Sequence, residues 1–67
     1  MAVAKVIEIS ATSSEGFEAA VREGIAKAHE TVRGISGAWI KSQKVDVGPD
    51  GSVTGFRVFM DVTFVLD

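Results

Sequence analysis

The chain has no cysteine, no tyrosine, a single histidine, a single proline and a single tryptophan in 67 residues. Without cysteine there is no disulfide, and with His29 alone there is no Cys/His metal staple. A chain this short buries only about 60% of the surface that its unfolded form exposes. With both covalent and metal staples excluded, association with further copies is the remaining common device.

Charge of one sign is also scarce. A net charge of −2 and a pI near 5.2 give no general attraction to phosphate backbones or anionic membranes, so neither nucleic acid nor membrane is expected as a partner. No apolar run approaches the roughly 18 residues of a membrane span, and no basic segment followed by an apolar one opens the sequence. A cytoplasmic protein is therefore expected. What the chain does have is apolar residues: 46% of the total and a mean hydropathy of +0.26, more than a small interior can hide. Part of that surface is expected to meet other subunits.

The order of elements reads β-α-β-β, one domain of the α+β class over residues 1–67, with a three-stranded antiparallel sheet curled around one helix. Val3 to Ser10 is rich in β-branched residues, as a strand. Ala11-Thr12-Ser13-Ser14 then turns to small and hydroxyl residues, where Thr12 with Glu15 fits a capping box and Ser14 competes as the cap. From Glu15 to Arg33 an apolar stripe of Phe17, Val21, Ile25, Ala28 and Val32 repeats at helical spacing. Glu18 with Arg22, Glu23 with Lys27, and Glu30 with Arg33 are expected to pair on the opposite side. Gly24 inside this helix points to a close backbone contact, and Gly34 to a left-handed cap at its end.

A strand from about Ile35 to Val47 follows, then Gly48-Pro49-Asp50-Gly51, which suits a type I turn with a G1 bulge. A three-residue loop of Pro49, Asp50 and Gly51 pairs Gly48 with Ser52. Continued without interruption, that register pairs Val47 with Val53, Gln43 with Arg57, Lys41 with Phe59, and Trp39 with Asp61. Phe56, Val58, Met60, Val62, Phe64 and Leu66 of the last strand then form the core face with Ala38 and Ile40. Gly37, Trp39, Lys41 and Gln43 share the other face with Arg57, Phe59 and Asp61. Trp39 is thereby uncovered within its own subunit. A last strand of about 15 residues, roughly 50 Å at 3.3 Å per residue, overhangs a helix of about 19 residues and roughly 29 Å at 1.5 Å per residue.

No catalytic constellation is present. His29 has no carboxylate at fixed spacing around it, so an enzyme is not expected. Glu8, Asp46, Asp50 and Asp61 follow no cation-loop spacing, and Gly48, Gly51 and Gly55 precede no helix that would make a phosphate loop. Trp39 has two readings, an anchor in a subunit interface or a stacking platform for a planar ligand.

Ala4-Lys5-Val6-Ile7-Glu8-Ile9, then Ala11-Thr12-Ser13, an alanine-rich helix, and a terminal Phe56-Arg57-Val58 to Phe64-Val65-Leu66 together resemble the dodecin family over nearly the whole chain. The resemblance implies a hollow sphere of twelve subunits that stores flavins (riboflavin, FMN or FAD), stacked in pairs on its symmetry axes, without turning them over. It further implies a ring-stacking tryptophan early in the second strand and a glutamine early in the third. Here Gly37 stands at the tryptophan position, with Trp39 two residues later, and Arg57 stands at the glutamine position. Lys44 retains a basic position of many members, whereas Val65 replaces another. By this resemblance Gly37, Trp39, Gln43, Lys44, Arg57 and Phe59 line the cofactor site. The other reading is a dodecin-like structural assembly in which Trp39 and Phe59 fill the axis themselves and ions or another small ligand take the place of flavin.

Overall fold

The computed structural model describes residues 3–66. Its elements are β1 (Val3–Ser13), α1 (Phe17–His29), β2 (Ile35–Val47) and β3 (Val53–Leu66). They form one antiparallel sheet in the order β1-β3-β2, with α1 packed on β1 and β3. The β-α-β-β order and the α+β class are as the sequence implies.

The core is small. Ala20, Val58, Met60 and Val62 are fully buried, with Ile7, Ile9, Ala11, Phe17, Val21 and Ile25 packed around them. Phe17 meets Phe56 edge to face at 5.2 Å. Gly24 lies where a Cβ would come within 2.8 Å of Met60 Cε and 2.9 Å of Ala11 Cβ, the close approach that its place in the helix suggested.

Helix α1 is shorter at both ends than its apolar periodicity implies. β1 continues through Ala11, Thr12 and Ser13 because β3 offers Val58, Arg57 and Phe56 as ladder partners, and pairing satisfies backbone groups that a cap would leave to side chains. The capping box at Thr12 and the cap at Ser14 therefore do not form: Gly16 is the N-cap, with no side-chain cap bond. Ser13 instead accepts a hydrogen bond from Glu15 N at 3.1 Å and donates to Glu23 at 3.3 Å. At the other end the helix stops at His29, so Gly34 is not its cap. Gly34 has φ +76° and turns the chain into β2 so closely that a Cβ there would stand 2.8 Å from Val65 O. The ion pairs shift accordingly: Glu18–Arg22 forms at 2.9 Å, while Lys27 turns to Glu30 at 3.5 Å rather than to Glu23.

The hairpin is the three-residue loop expected. Gly48 N donates to Ser52 O at 2.8 Å, Gly51 N to Gly48 O at 3.0 Å, and Gly51 carries φ +84°. Asp50 accepts from the Ser52 hydroxyl and backbone N–H, and these bonds hold its carboxyl below the usual range.

Beyond the hairpin the ladder departs from an uninterrupted register. Asp46 pairs with Gly55 and Val47 with Val53, so Thr54 is an extra residue in β3; Ile40 pairs with Met60 and Ser42 with Phe59, so Lys41 is an extra residue in β2. The first bulge shifts the pairing by one and the second restores it, so that Trp39 meets Asp61 as expected. A further irregularity at Ser36 precedes Gly37. Between the first two bulges the faces are exchanged. Gln43 pairs with Val58 and lies on the helix side of the sheet, while Ser42 and Lys44 take the face expected of Lys41 and Gln43.

The protomer is elongated, 53 × 20 × 14 Å. Its radius of gyration, 13.8 Å, exceeds the roughly 11 Å of a compact chain of this length. Its accessible surface, 4790 Å², exceeds the roughly 4100 Å² of a folded monomer of this mass. Val3, Val6, Ile40, Val47, Val65 and Leu66 are among the exposed large apolar residues. Ala38 and Ile40 share the helix-side face with Val62 and Met60 but remain exposed, because α1 is too short and packs over β1 and β3 rather than β2.

Candidate functional site

The face of the sheet away from α1 is open, and directly paired residues share it in rows because cross-strand partners point to the same side. From one end the rows are Val6–Thr63–Gly37, Glu8–Asp61–Trp39, Ser10–Phe59–Ser42 and Thr12–Arg57–Lys44, each written in the order β1, β3, β2. Five of the six residues assigned to the site therefore share one surface. Gln43 does not: the Thr54 bulge places it on the opposite side, and Lys44 takes its position beside Arg57.

Trp39 is 74% exposed. Its neighbour Gly37 leaves open space, with nothing within 4 Å of where a Cβ would be. One flank of the indole is therefore free for a flat group, and an aromatic face stacks favourably with one. The other flank is defined by Lys41, which as the bulged residue leaves the Phe59 row. Its Nζ donates to Glu8 Oε2 at 2.7 Å across the central strand, and this hydrogen bond, followed by the charge of Asp61, raises the lysine above its ordinary pKa. Two carboxylates and one ammonium thus surround the tryptophan. The pair is half-exposed, so its contribution to stability is small. Sequence reasoning placed Lys41 on this face but missed its partner, because Glu8 becomes a neighbour only through the order β1-β3-β2.

At the hairpin end Arg57 is half-buried and donates to Asp46 Oδ2 at 3.4 Å. Gly55 makes room for that carboxylate: a Cβ there would come within 3.1 Å of Asp46 Oδ2. Arg57 Nε is buried with no acceptor, and Lys44 forms no ion pair among the described residues. Among the described residues no group of three or more His, Cys, Asp or Glu side chains is placed to hold a metal ion. His29 is exposed on the helix, away from this face. Among the described residues no helix is long and apolar enough to cross a membrane.

The sequence matches the family model of dodecin over residues 3–67. It is 34% identical over 65 residues to the dodecin of Thermus thermophilus, covering 97% of this chain and 93% of that one. Among solved structures, a dodecin from Streptomyces davaonensis superposes with a TM-score of 0.93 at 30% identity, covering 98% of this chain and 96% of the other. The calcium-chelating antigen of Mycobacterium tuberculosis, a calcium dodecin with its own calcium-binding site, superposes with a TM-score of 0.84 at 31% identity, covering 97% and 91%. A family model over residues 3–67, a relative at 34% identity and solved structures of the same shape thus agree, and the chain belongs to the dodecin family.

Proposed function

We propose that the protein assembles into a homododecameric hollow shell that binds or sequesters a small planar molecule on the open sheet face, with flavin (riboflavin, FMN or FAD) the leading candidate. It works by binding rather than by turnover. The observation that carries this reading is Trp39, a large aromatic side chain 74% exposed beside the vacant flank of Gly37. A second protomer facing this one across an axis would supply the other side of the slot. Phe59 adds apolar floor, and Arg57 and Lys44 donate hydrogen bonds to carbonyl or anionic groups of the ligand.

Titration of riboflavin and FMN with the purified protein, following flavin and Trp39 fluorescence together, tests the ligand. Mutual quenching is expected at micromolar protein, and Trp39→Ala is expected to weaken binding about tenfold through the lost stacking. Absence of quenching would defeat the flavin reading. Assembly is tested separately by light scattering: twelve copies of 7.1 kDa give a particle of about 85 kDa, and a stable monomer would overturn the shell.

A second reading has its own support. Gly37 offers no ring at the position where the resemblance expects the stacking tryptophan, and one relative is a calcium dodecin. In that case Trp39 and Phe59 fill the axis and the shell holds ions or another small ligand. Any cation site would then need carboxylates from more than one subunit, since no single described protomer gathers enough of them.

A further inference from the structure

We propose that Asp50–Gly51, at the tip of the hairpin, is the chain's site of spontaneous isoaspartate formation, and that Ser52 is the residue that holds this modification in check. The reaction involves no ligand and no partner protein.

The sequence confines it to one place. There is no asparagine, and of the aspartates only Asp50 is followed by glycine, whereas Asp46 and Asp61 are each followed by valine. Those two also lie inside β2 and β3, where the ladder holds the chain extended. Gly51 has no side chain to shield its nitrogen, and nothing stands within 4 Å of where a Cβ would be. Pro49, Asp50, Gly51 and Ser52 are all exposed, so water reaches the loop.

The Gly51 nitrogen attacks Cγ of the neutral Asp50 carboxyl. A C–N bond forms, the C–OH bond breaks, and the hydroxyl leaves as water with the amide proton. The five-membered succinimide then takes water back at either carbonyl. Opening at one restores aspartate. Opening at the other leaves isoaspartate, whose main chain runs through Cβ and Cγ and is one carbon longer.

The folded loop opposes the attack on both sides. The carboxyl must be protonated to react, and Asp50 accepts from the Ser52 hydroxyl at 2.6 Å and from Ser52 N at 3.0 Å. These bonds, the hydroxyl's foremost, keep the carboxyl ionised to lower pH than usual. Among the described residues Asp50 has no ion pair, which leaves Ser52 as the group that sets its state. The nitrogen must be free, and Gly51 N–H donates to Gly48 O at 3.0 Å. An isoaspartate would also disturb the strands. The loop is closed by Gly48 N on Ser52 O at 2.8 Å, and a further backbone carbon strains that closure and the pairing of Val47 with Val53 next to it.

The test ages the purified protein and its Ser52→Ala, Ser52→Thr and Asp50→Glu variants at mildly acidic pH, followed by tryptic digestion. Isoaspartyl methyltransferase labelling counts the isomer, and peptide fragmentation in the mass spectrometer places it within the fragment from Val45 to Arg57. Label is expected at Asp50 and not at Asp46, and about fivefold more slowly in the folded wild type than in the same chain unfolded in guanidinium, as the protection of about one hydrogen bond implies. Ser52→Ala is expected to raise the folded rate by about the same factor. Ser52→Thr, which keeps the hydroxyl, is expected to hold the wild-type rate, and Asp50→Glu, whose ring would have six members, to lose the label. A thermal midpoint for each variant shows whether it is folded. Equal rates in the wild type and a folded Ser52→Ala overturn the proposal. If Ser52→Ala does not fold, the comparison of folded with unfolded wild type decides, and equal rates there overturn it too. Label at Asp46 or Asp61 ahead of Asp50 has the same consequence.

Discussion

Gly24→Leu is expected to destabilise the protein by about 3 kcal/mol or more, the upper range for forcing extra atoms into a packed interior. Even the first added carbon meets Met60 Cε at 2.8 Å and Ala11 Cβ at 2.9 Å. The two neighbours differ in kind. Met60 Cε is the end of a flexible chain and can swing away, whereas Ala11 Cβ is fixed to the strand β1 and yields only if the helix lifts. Helix propensity works in the other direction by about 1 kcal/mol, since glycine is a poor interior residue, and is too small to compensate. Gly24→Ala is therefore expected to destabilise as well, by about 1 kcal/mol after that offset. Denaturant unfolding at fixed protein concentration measures both. A stabilised Gly24→Ala would show that α1 has room to shift and that the close approach is not a constraint.

Met60→Ala is expected to cost about 2–5 kcal/mol, the range for truncating a fully buried methionine. In this protein the loss is large relative to the whole, because among the described residues Met60 is the largest fully buried side chain, followed by Val58 and Val62. It also touches the helix at Gly24 and so joins the two layers. The two changes are coupled for the same reason. In a Met60→Ala background an alanine at position 24 enters vacated space, so the double variant is expected to be less destabilised than the sum of the single ones, with the coupling measured by a double-mutant cycle. Strict additivity would mean that Ala11 alone resists the helix. A Met60→Ala loss below about 1 kcal/mol, against the cavity scale above, would place the stabilising contacts between subunits instead of under the helix.

Much of the fold was legible because its signals are local. Period-two apolar runs mark the strands, the Gly48–Ser52 sequence specifies a three-residue loop, and alternation in the last strand marks Val58, Met60 and Val62 as the core face. Gly24 showed its packing role by being a poor helix former where a helix was required. What was not legible depended on competition between distant segments. Thr12, Ser13 and Ser14 carry helix-cap chemistry, but an available ladder on β3 takes Thr12 and Ser13 into β1. Ala20 is fully buried yet too small to announce itself in an apolar stripe. The bulge at Lys41 has no glycine or proline beside it to mark it, and the one at Thr54 has only the neighbouring Gly55. They show only in how the two long strands pair, so Gln43 was read onto the wrong face while Trp39, beyond the second bulge, was read onto the right one.

Those paired bulges also bear on how this surface can change over generations. Inside the five-residue window from Ser42 to Asp46, whether a side chain lines the open face or the helix side is decided by two phase shifts rather than by its own chemistry. Sliding one bulge along its strand would bring a different set of side chains to the ligand face with no substitution at all, while Trp39 and the core, lying outside the window, kept their places. In such a strand pair the binding specificity is written in parity as much as in composition, and a relative with the same residues in this window need not present the same surface.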